Sequence, residues 1–464
     1  MTSDLSHTPP DNHRIGLTVT AASFGFALIQ LDVTVVNVAL PSIARSLGAD
    51  TAHLQWVVDA YALSFAALLL SAGFIGDRLG ARRVYLVGLG LFALASAACG
   101  LCPDTAWLIG ARVAQGVGAA AMLPCSLTLI NHAAGHDRAL RARAVGWWTA
   151  AGGVSIAAGP IVGGLLLGVS GWRSLFLINL PVCAVAALLA LKVEEARGEE
   201  PAAGRGLDPA GQTLAALAMA GLTAAVIEAK PLGLASLLVW ALFGLGAAAG
   251  AGFVWVERRS RAPMLPLGLF ARPGFAPAVA YGVIANLTYY GMVFVLSLYL
   301  QRTLGYAPLI AGLAYLPLTA TFFGVNVLSG WWVSRAGSRT PMVWGALIDA
   351  AGFALLLSLG AASPYGWMLP AFVLMPGGMG SGVPAMTTAV LASVDKAQSG
   401  IASGALNAAR QAGGAIGVAL FGALAAGDGA HIVLGLHLSA AIAVGLLLAA
   451  ALIARLGLAH FHRA

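Results

Sequence analysis

A chain of 464 residues that is 59% hydrophobic and only 9% charged cannot cover its own core with a water-soluble surface, since a soluble domain carries about 25% charged residues. Lipid is therefore the solvent for most of it, which excludes a soluble enzyme or a soluble signalling domain. The formal charge of +7 does not mark a nucleic-acid binder, because the basic residues sit in short turns and form no contiguous face.

Residues 1 to 13 are polar, and no signal peptide is expected, because no cleavage site follows and the first apolar run is too long. Fourteen apolar runs are long enough to span, at about 20 residues each, and are predicted to be helices. They cover 15–40, 53–76, 84–102, 106–130, 144–168, 174–193, 210–229, 232–256, 274–301, 308–333, 341–361, 366–391, 400–425 and 431–455. The expected fold class is an all-α polytopic membrane protein. An even number of spans puts both termini on one side. Arg78, Arg82, Arg83, Arg138, Arg141, Arg143, Arg258, Arg259, Arg261 and Arg272 fall in turns on that side, whereas the opposite loops keep only Arg45, Arg173, Lys230 and Arg302. The arginine-rich side, with both termini, reads as cytoplasmic.

In the first run, Asp32 lies nine residues before Pro41, about 13 Å below the outer end at 1.5 Å per residue. Asp59 stands about two turns into the second run, and Arg112 about two turns into the fourth. All three reach a similar depth. Charge there is costly, so each should face a cavity or a partner. A carboxylate whose arginine partner comes and goes with conformation can take up and release a proton; a static ion pair would only fix helix packing.

The second run ends in Gly73-Phe-Ile-Gly76-Asp77-Arg78-Leu-Gly80-Ala-Arg82-Arg83. Its glycines permit a tight turn, Asp77 can sit near a helix N-terminus, and the arginines can reach carboxylates or lipid phosphates. The turn reads as a cytoplasmic latch, as a topology signal, or as both. It recurs at an offset of 257 as Gly330-Trp-Trp-Val-Ser334-Arg335-Ala-Gly337-Ser-Arg339, and the same offset carries Leu47-Gly48 onto Leu304-Gly305 and Gly88 onto Gly345. Two related halves follow, with runs 7 and 8 inserted between them. The expected division is 1–194, a six-helix unit; 195–272, a linker and two extra helices; and 273–464, a second six-helix unit. The polar stretch from Glu194 to Pro209 is read as a solvated loop without function.

The four cysteines, Cys99, Cys102, Cys125 and Cys183, lie in apolar runs and read as free thiols. The fifth run carries Gly159-Pro160-Ile-Val-Gly163-Gly164, a smooth and bendable surface that suits an interface between two moving halves, or simply close packing. Asn37, Tyr61, Trp147, Asn286, Tyr289, Tyr290 and Asp349 are candidate linings of a cavity for flat or cationic organic molecules. Arg410 is expected to cap backbone or to snorkel. No Gly-x4-Gly-Lys-Ser/Thr loop exists, so an ion gradient is the expected driving force, with no cofactor and no metal. His132 and Asp137 have the spacing of some acyltransferases but stand in a basic loop without other catalytic groups, and read as coincidence.

Several of these stretches resemble one family. Leu31-Asp32-Val-Thr34-Val-Val-Asn37-Val-Ala-Leu-Pro41 is similar to the helix-1 signature of the fourteen-helix drug:proton antiporters of the major facilitator superfamily. Gly73 to Arg83 resembles that superfamily's loop 2–3 motif, Arg112-Val-Ala-Gln115-Gly116-Val-Gly118 its helix-4 motif, Gly159 to Gly164 its helix-5 antiporter motif, and Gly171-Trp172-Arg173 to Asn179-Leu-Pro181 the turn into helix 6. The resemblance implies proton coupling at Asp32 and Arg112, with Asp59 a further candidate, and a latch at Asp77; Ser334 departs from the acid expected in the second copy. It implies export of small lipophilic, often cationic compounds in exchange for protons, by a monomer in the bacterial inner membrane. An exporter of one metabolite or amino acid, and a membrane sensor without transport, are the competing readings.

Overall fold

The computed structural model describes residues 12–134, 138–195, 208–260, 263, 265–394 and 398–458. Each apolar run falls on a helical segment. The first six are α1 (Asn12–Leu47), α2 (Thr51–Leu79), α3 (Ala81–Gly100), α4 (Thr105–Ala134), α5 (Arg138–Ser170) and α6 (Ser174–Ala190, interrupted at Ile178). An inserted pair follows, α7 (Pro209–Leu232) and α8 (Leu237–Arg259). The last six are α9 (Phe275–Thr303), α10 (Pro308–Ala336, interrupted at Tyr315), α11 (Arg339–Leu356), α12 (Leu369–Ala392), α13 (Ser399–Leu424) and α14 (Gly429–Gly457).

Among the described residues, nine helices are long and apolar enough to cross a bilayer unaided, ten if the two limbs of α5 form one span. Four of the fourteen expected spans are not among them: α6 is a shorter apolar helix, α11 carries Arg339 and Asp349, and along α12 and α13 glycine, serine, asparagine or proline replace large apolar side chains. Such residues lower hydropathy and let backbones approach, so these helices belong at helix–helix contacts.

Packing repeats between the halves. In the first, α1 pairs with α4, α5 and α6, α4 with α2 and α3, and α3 with α6. In the second, α9 pairs with α12, α13 and α14, α12 with α10 and α11, and α11 with α14. Eight places along the helix order, every partnership recurs. Three pairs of glycines at an offset of 257 have matching jobs, whereas Gly73 lies on Pro124 and its counterpart Gly330 meets nothing among the described residues. Gly48 and Gly305 both take positive φ (64° and 70°), as do Gly80 and Gly337 (100° and 69°), a region that side chains disfavour. A Cβ on Gly88 would stand 2.9 Å from the Gly118 carbonyl oxygen, and one on Gly345 2.7 Å from that of Gly378, so α3–α4 and α11–α12 cross at backbone contact.

The halves meet along two symmetry-related seams, α2 with α13 and α5 with α10. α7 and α8 pair with each other, and α7 rests on both α2 and α13. Polar contacts hold it there: Ser71 Oγ donates to Gln212 Oε1 (2.6 Å), and Trp56 Nε1 to Glu228 Oε1 (3.3 Å).

Candidate functional site

α1, α4 and α6 bring five polar side chains together inside the first half, with α3 supplying one of them. Arg112 Nη1 donates to Asp32 Oδ2 at 2.5 Å and to Gln115 Oε1 at 2.8 Å, while its Nε donates to the Val57 carbonyl at 3.0 Å. Gln115 and Asn179 both donate to Asp32 Oδ1, at 3.1 and 3.2 Å, and both donate to Ser96 Oγ, at 2.7 and 3.2 Å. The guanidinium lies 4.3 Å over the Tyr61 ring. Both Asp32 oxygens are thus occupied, and the charge is matched. That is the condition under which a buried ion pair is tolerated.

Asp59 differs. It is fully buried, and neither carboxylate oxygen has a hydrogen-bond partner among the described residues. It lines a cavity of about 50 Å³ between the halves. α1 contributes Gln30, Val33 and Asn37, α2 adds Tyr61, and α9 and α13 bring Tyr290, Gln411 and Gly414; Arg112 also reaches this wall. Arg112 therefore stands between the matched acid and the unmatched one. The space holds one or two waters at about 30 Å³ each and is too small for an organic molecule, so any such ligand needs the halves to part.

One end of this interface is shut. Ser297 Oγ donates to the Asn37 carbonyl (2.5 Å), Gln301 Nε2 to that of Val38 (2.9 Å), and Gln55 Nε2 to those of Val418 and Ala419 (3.1 and 2.6 Å). All these groups lie toward the α1–α2 loop. At the same end Gly164 meets Leu309, with a Cβ there 2.7 Å from the Leu309 Cα, and Gly312 abuts the Pro160 carbonyl. Gly159 and Gly163 face α1 instead, at Thr34 and Val35. α5 bends by 40° between Ile156 and Ala158, where Pro160 denies the Ile156 carbonyl its N–H.

The remaining sequence candidates separate. Asn37, Tyr61 and Tyr290 line the cavity; Asn286, Tyr289, Asp349 and Trp147 do not. Asn286 accepts from Arg410 Nε (3.2 Å), so this arginine pairs inside the second half and does not cap backbone. Tyr289 packs edge-on to Tyr290 and against Phe322. Asp349 is buried where α11 crosses α12 at Gly378. Trp147 is 72% exposed, because its neighbour Trp148 takes the inward position, stacking on Phe26 and donating to Ser126.

At the α2–α3 turn, the stretch read as a functionless loop supplies the partner. The Glu195 carboxylate accepts from the Arg82 backbone N–H (2.9 Å) and pairs with the Arg82 and Arg83 guanidiniums at 3.5 and 3.8 Å. It also sits 2.5 Å from where a Cβ on Gly80 would stand. Glu194 pairs with Arg14 at the start of α1. Gly73 and Gly76 let α2 lie on α4 at Pro124 and Cys125, and Arg78 lies over Phe74. The Asp77 side chain, and those of His136 and Asp137, lie outside the described residues. In the second copy, the Ser334 hydroxyl turns back to the Trp331 carbonyl, and Arg335 stacks on Trp331. All four cysteines are buried free thiols.

Sequence reasoning overlooked Ser96, Gln115, Asn179, Gln411 and Glu195. Gln115 and Asn179 stood inside recognised motifs; the signal available was a polar residue in an apolar run, and for Gln115 its place one turn after Arg112.

Residues 22–418 match the family model described as Major Facilitator Superfamily. The chain is 39% identical over 416 residues to the "Multidrug resistance protein Stp" of Mycobacterium tuberculosis, covering 88% of this chain and 76% of that one. It is 37% identical to the "Methylenomycin A resistance protein" of Streptomyces coelicolor (88% and 85% covered) and 34% identical to the "Tetracenomycin C resistance and export protein" of Streptomyces glaucescens (91% and 79%). Among solved structures, the nucleoside transporter NupG shares the fold at a TM-score of 0.64 and 15% identity, covering 94% of this chain and 98% of that one. A bacterial homologue of the human lysosomal transporter Spinster shares it at 0.67 and 19%, with 96% and 97% covered.

Proposed function

The chain belongs to the major facilitator superfamily, and from that premise we propose that it is a bacterial inner-membrane antiporter that exports small lipophilic, often cationic, organic compounds in exchange for protons. Both termini face the cytoplasm, the working unit is one chain, and the proton gradient is the only driving force. Units 1–194 and 273–464 rock against each other, with 195–272 supplying the linker and the inserted helices α7 and α8. The relatives named for resistance and export support the substrate class.

The observation that carries the reading is Asp59: a buried acid, without a hydrogen-bond partner among the described residues, on the wall between the halves. At this depth a carboxylate needs a proton or a cation beside it. A cationic substrate and a proton would compete for it, and competition for one group is what exchange requires. Asp32 sits behind, matched by Arg112. Protonation of Asp32 removes the charge that holds the guanidinium and frees Arg112 toward the cavity it already lines. The state described here is closed at the outer end by the Asn37, Val38 and Gln55 contacts. Substrate arrives from the cytoplasmic side, the halves part, and the seam then opens outward at the smooth face of Gly164 and Pro160. The turn from Gly73 to Arg83, with Glu195, steadies the cytoplasmic end of the first half.

The test is transport in sealed vesicles holding the purified chain, with an imposed pH gradient and a panel of cationic and neutral dyes. Gradient-driven movement of cationic dyes is expected, and Asp32→Asn should abolish it. Undiminished dye movement in that variant would sink the coupling assignment.

A further inference from the structure

A second cavity, of about 580 Å³, opens between the cytoplasmic limbs of α1 and α5. The faces of α5 show which way it looks. Gly153, Pro160 and Gly164 meet α10 of the second half, and Gly152, Gly159 and Gly163 meet α1. At about 100° per residue, Trp147 and Ala151 point to a third side, away from the seam between the halves. Among the described residues only α1 and α5 line it, so that side is open to the surroundings of the bundle, and it shares no lining residue with the central cavity.

Its walls are mixed. On the α1 floor the apolar Ile15, Val19, Phe24 and Ala27 alternate with Gly16 and the uncharged hydroxyls of Thr20 and Ser23. Arg143 stands at the mouth, one helical turn before Trp147 on the same face of α5. Among the described residues no acid lines the groove and Arg143 has no acidic partner. A trough of this size facing the bilayer is filled by whatever the bilayer offers. An unmatched cation at the headgroup level selects a negative headgroup, and tryptophan favours the same interface.

We propose that this groove binds an anionic glycerophospholipid of the inner leaflet, with its headgroup phosphate at Arg143, its glycerol backbone beside Trp147 and an acyl chain along Val19, Phe24 and Ala27. A zwitterionic lipid fits the same floor but gains nothing net from the arginine. The lipid rests on the limb of α5 that precedes the 40° bend, so its occupancy bears on the helix whose other face forms the seam with α10.

The probe is phosphatidylglycerol brominated on its acyl chains, with brominated phosphatidylcholine as the comparison, added to the full chain in detergent. Tryptophan fluorescence quenching is read. The wild type should be quenched at lower concentrations of the phosphatidylglycerol. Arg143→Gln should weaken that preference about fivefold, the loss expected for one interfacial arginine, and Arg143→Lys should keep it. Arg258→Gln, at the far end of α8, should change nothing. Trp147→Phe should remove the lipid-selective part of the quenching while elution on size exclusion stays that of the folded chain. Equal quenching by the two lipids, or an unchanged preference in Arg143→Gln, overturns the proposal. So does displacement of the lipid by a neutral dye, which would make the groove a substrate portal. None of these outcomes depends on proton coupling.

Discussion

Two acids in the first half face opposite physical situations. Asp32 has three donors and a matched charge; Asp59 has neither among the described residues. Substitution should separate structural from functional cost. Arg112→Ala strands the Asp32 charge, and a loss of about 3–5 kcal/mol is expected, seen as a lower midpoint of thermal unfolding in detergent. Arg112→Lys should not restore it, because one ammonium cannot reach Asp32, Gln115 and the Val57 carbonyl with the guanidinium's fork. Asp59→Asn should behave oppositely. Removing an unpartnered buried acid should raise the unfolding midpoint or leave stability within about 1 kcal/mol, while exchange of cationic dye for protons fails. A destabilised Asp59→Asn chain that still transports would assign this residue to packing.

Asp32, Asp59 and Arg112 were legible because charge in an apolar run is conspicuous. Ser96 was not, since a serine in a membrane helix commonly satisfies itself on its own backbone. That it accepts from Gln115 and Asn179 depends on three helices converging.

Among the elements, the α2–α3 turn carries a sharp expectation. Gly80 has φ of +100°, and a Cβ would also meet the Glu195 carboxylate. Gly80→Ala should therefore cost at least about 1 kcal/mol by thermal unfolding. Glu195→Gln should separate charge from shape: it keeps the acceptor for the Arg82 N–H but removes the anion facing Arg82 and Arg83, so a smaller loss, reduced further by salt, is expected. Salt-independence of that loss would rule out an ionic clasp. The turn was conspicuous in the sequence, but its partner was not, because residue 195 lies 113 positions beyond Arg82 in a stretch that reads as plain linker.

On α5, Gly164 closely approaches Leu309 at the end of the seam that the proposed topology puts outside. Gly164→Leu should wedge this seam apart. A cysteine placed at Gln301, whose native side chain on α9 bonds to Val38 of α1 at the same end of the interface between the halves, should then react faster with a membrane-impermeant maleimide added from outside. The four native thiols are buried, so background labelling should be low. An unchanged labelling rate would show that the seam relaxes around the larger side chain.

For the whole molecule, recurrence of the same helix partnerships eight helices apart means that each half is stabilised within itself, and the two seams α2–α13 and α5–α10 can open without dismantling either. The seam bonds are few and use backbone carbonyls. Gln55→Leu removes two of them, at about 1 kcal/mol each, and should increase outside labelling in the same assay without lowering the unfolding midpoint comparably.

Composition and periodicity by themselves determined that the chain lives in lipid and where its helices lie, a repeat at one fixed offset showed that its architecture is doubled, and the family resemblance rests on five motifs of the first half. Each of these is written locally, in the hydropathy of about twenty residues or in a glycine whose φ a turn demands. Only the tertiary structure decided which acid is matched and which is exposed to the cavity, that Trp148 and not Trp147 turns inward, and that Glu195 holds the arginine turn. Those outcomes depend on groups separated by 22 to 147 positions, and no window along the chain encodes which of several polar side chains will reach a given partner once the helices pack.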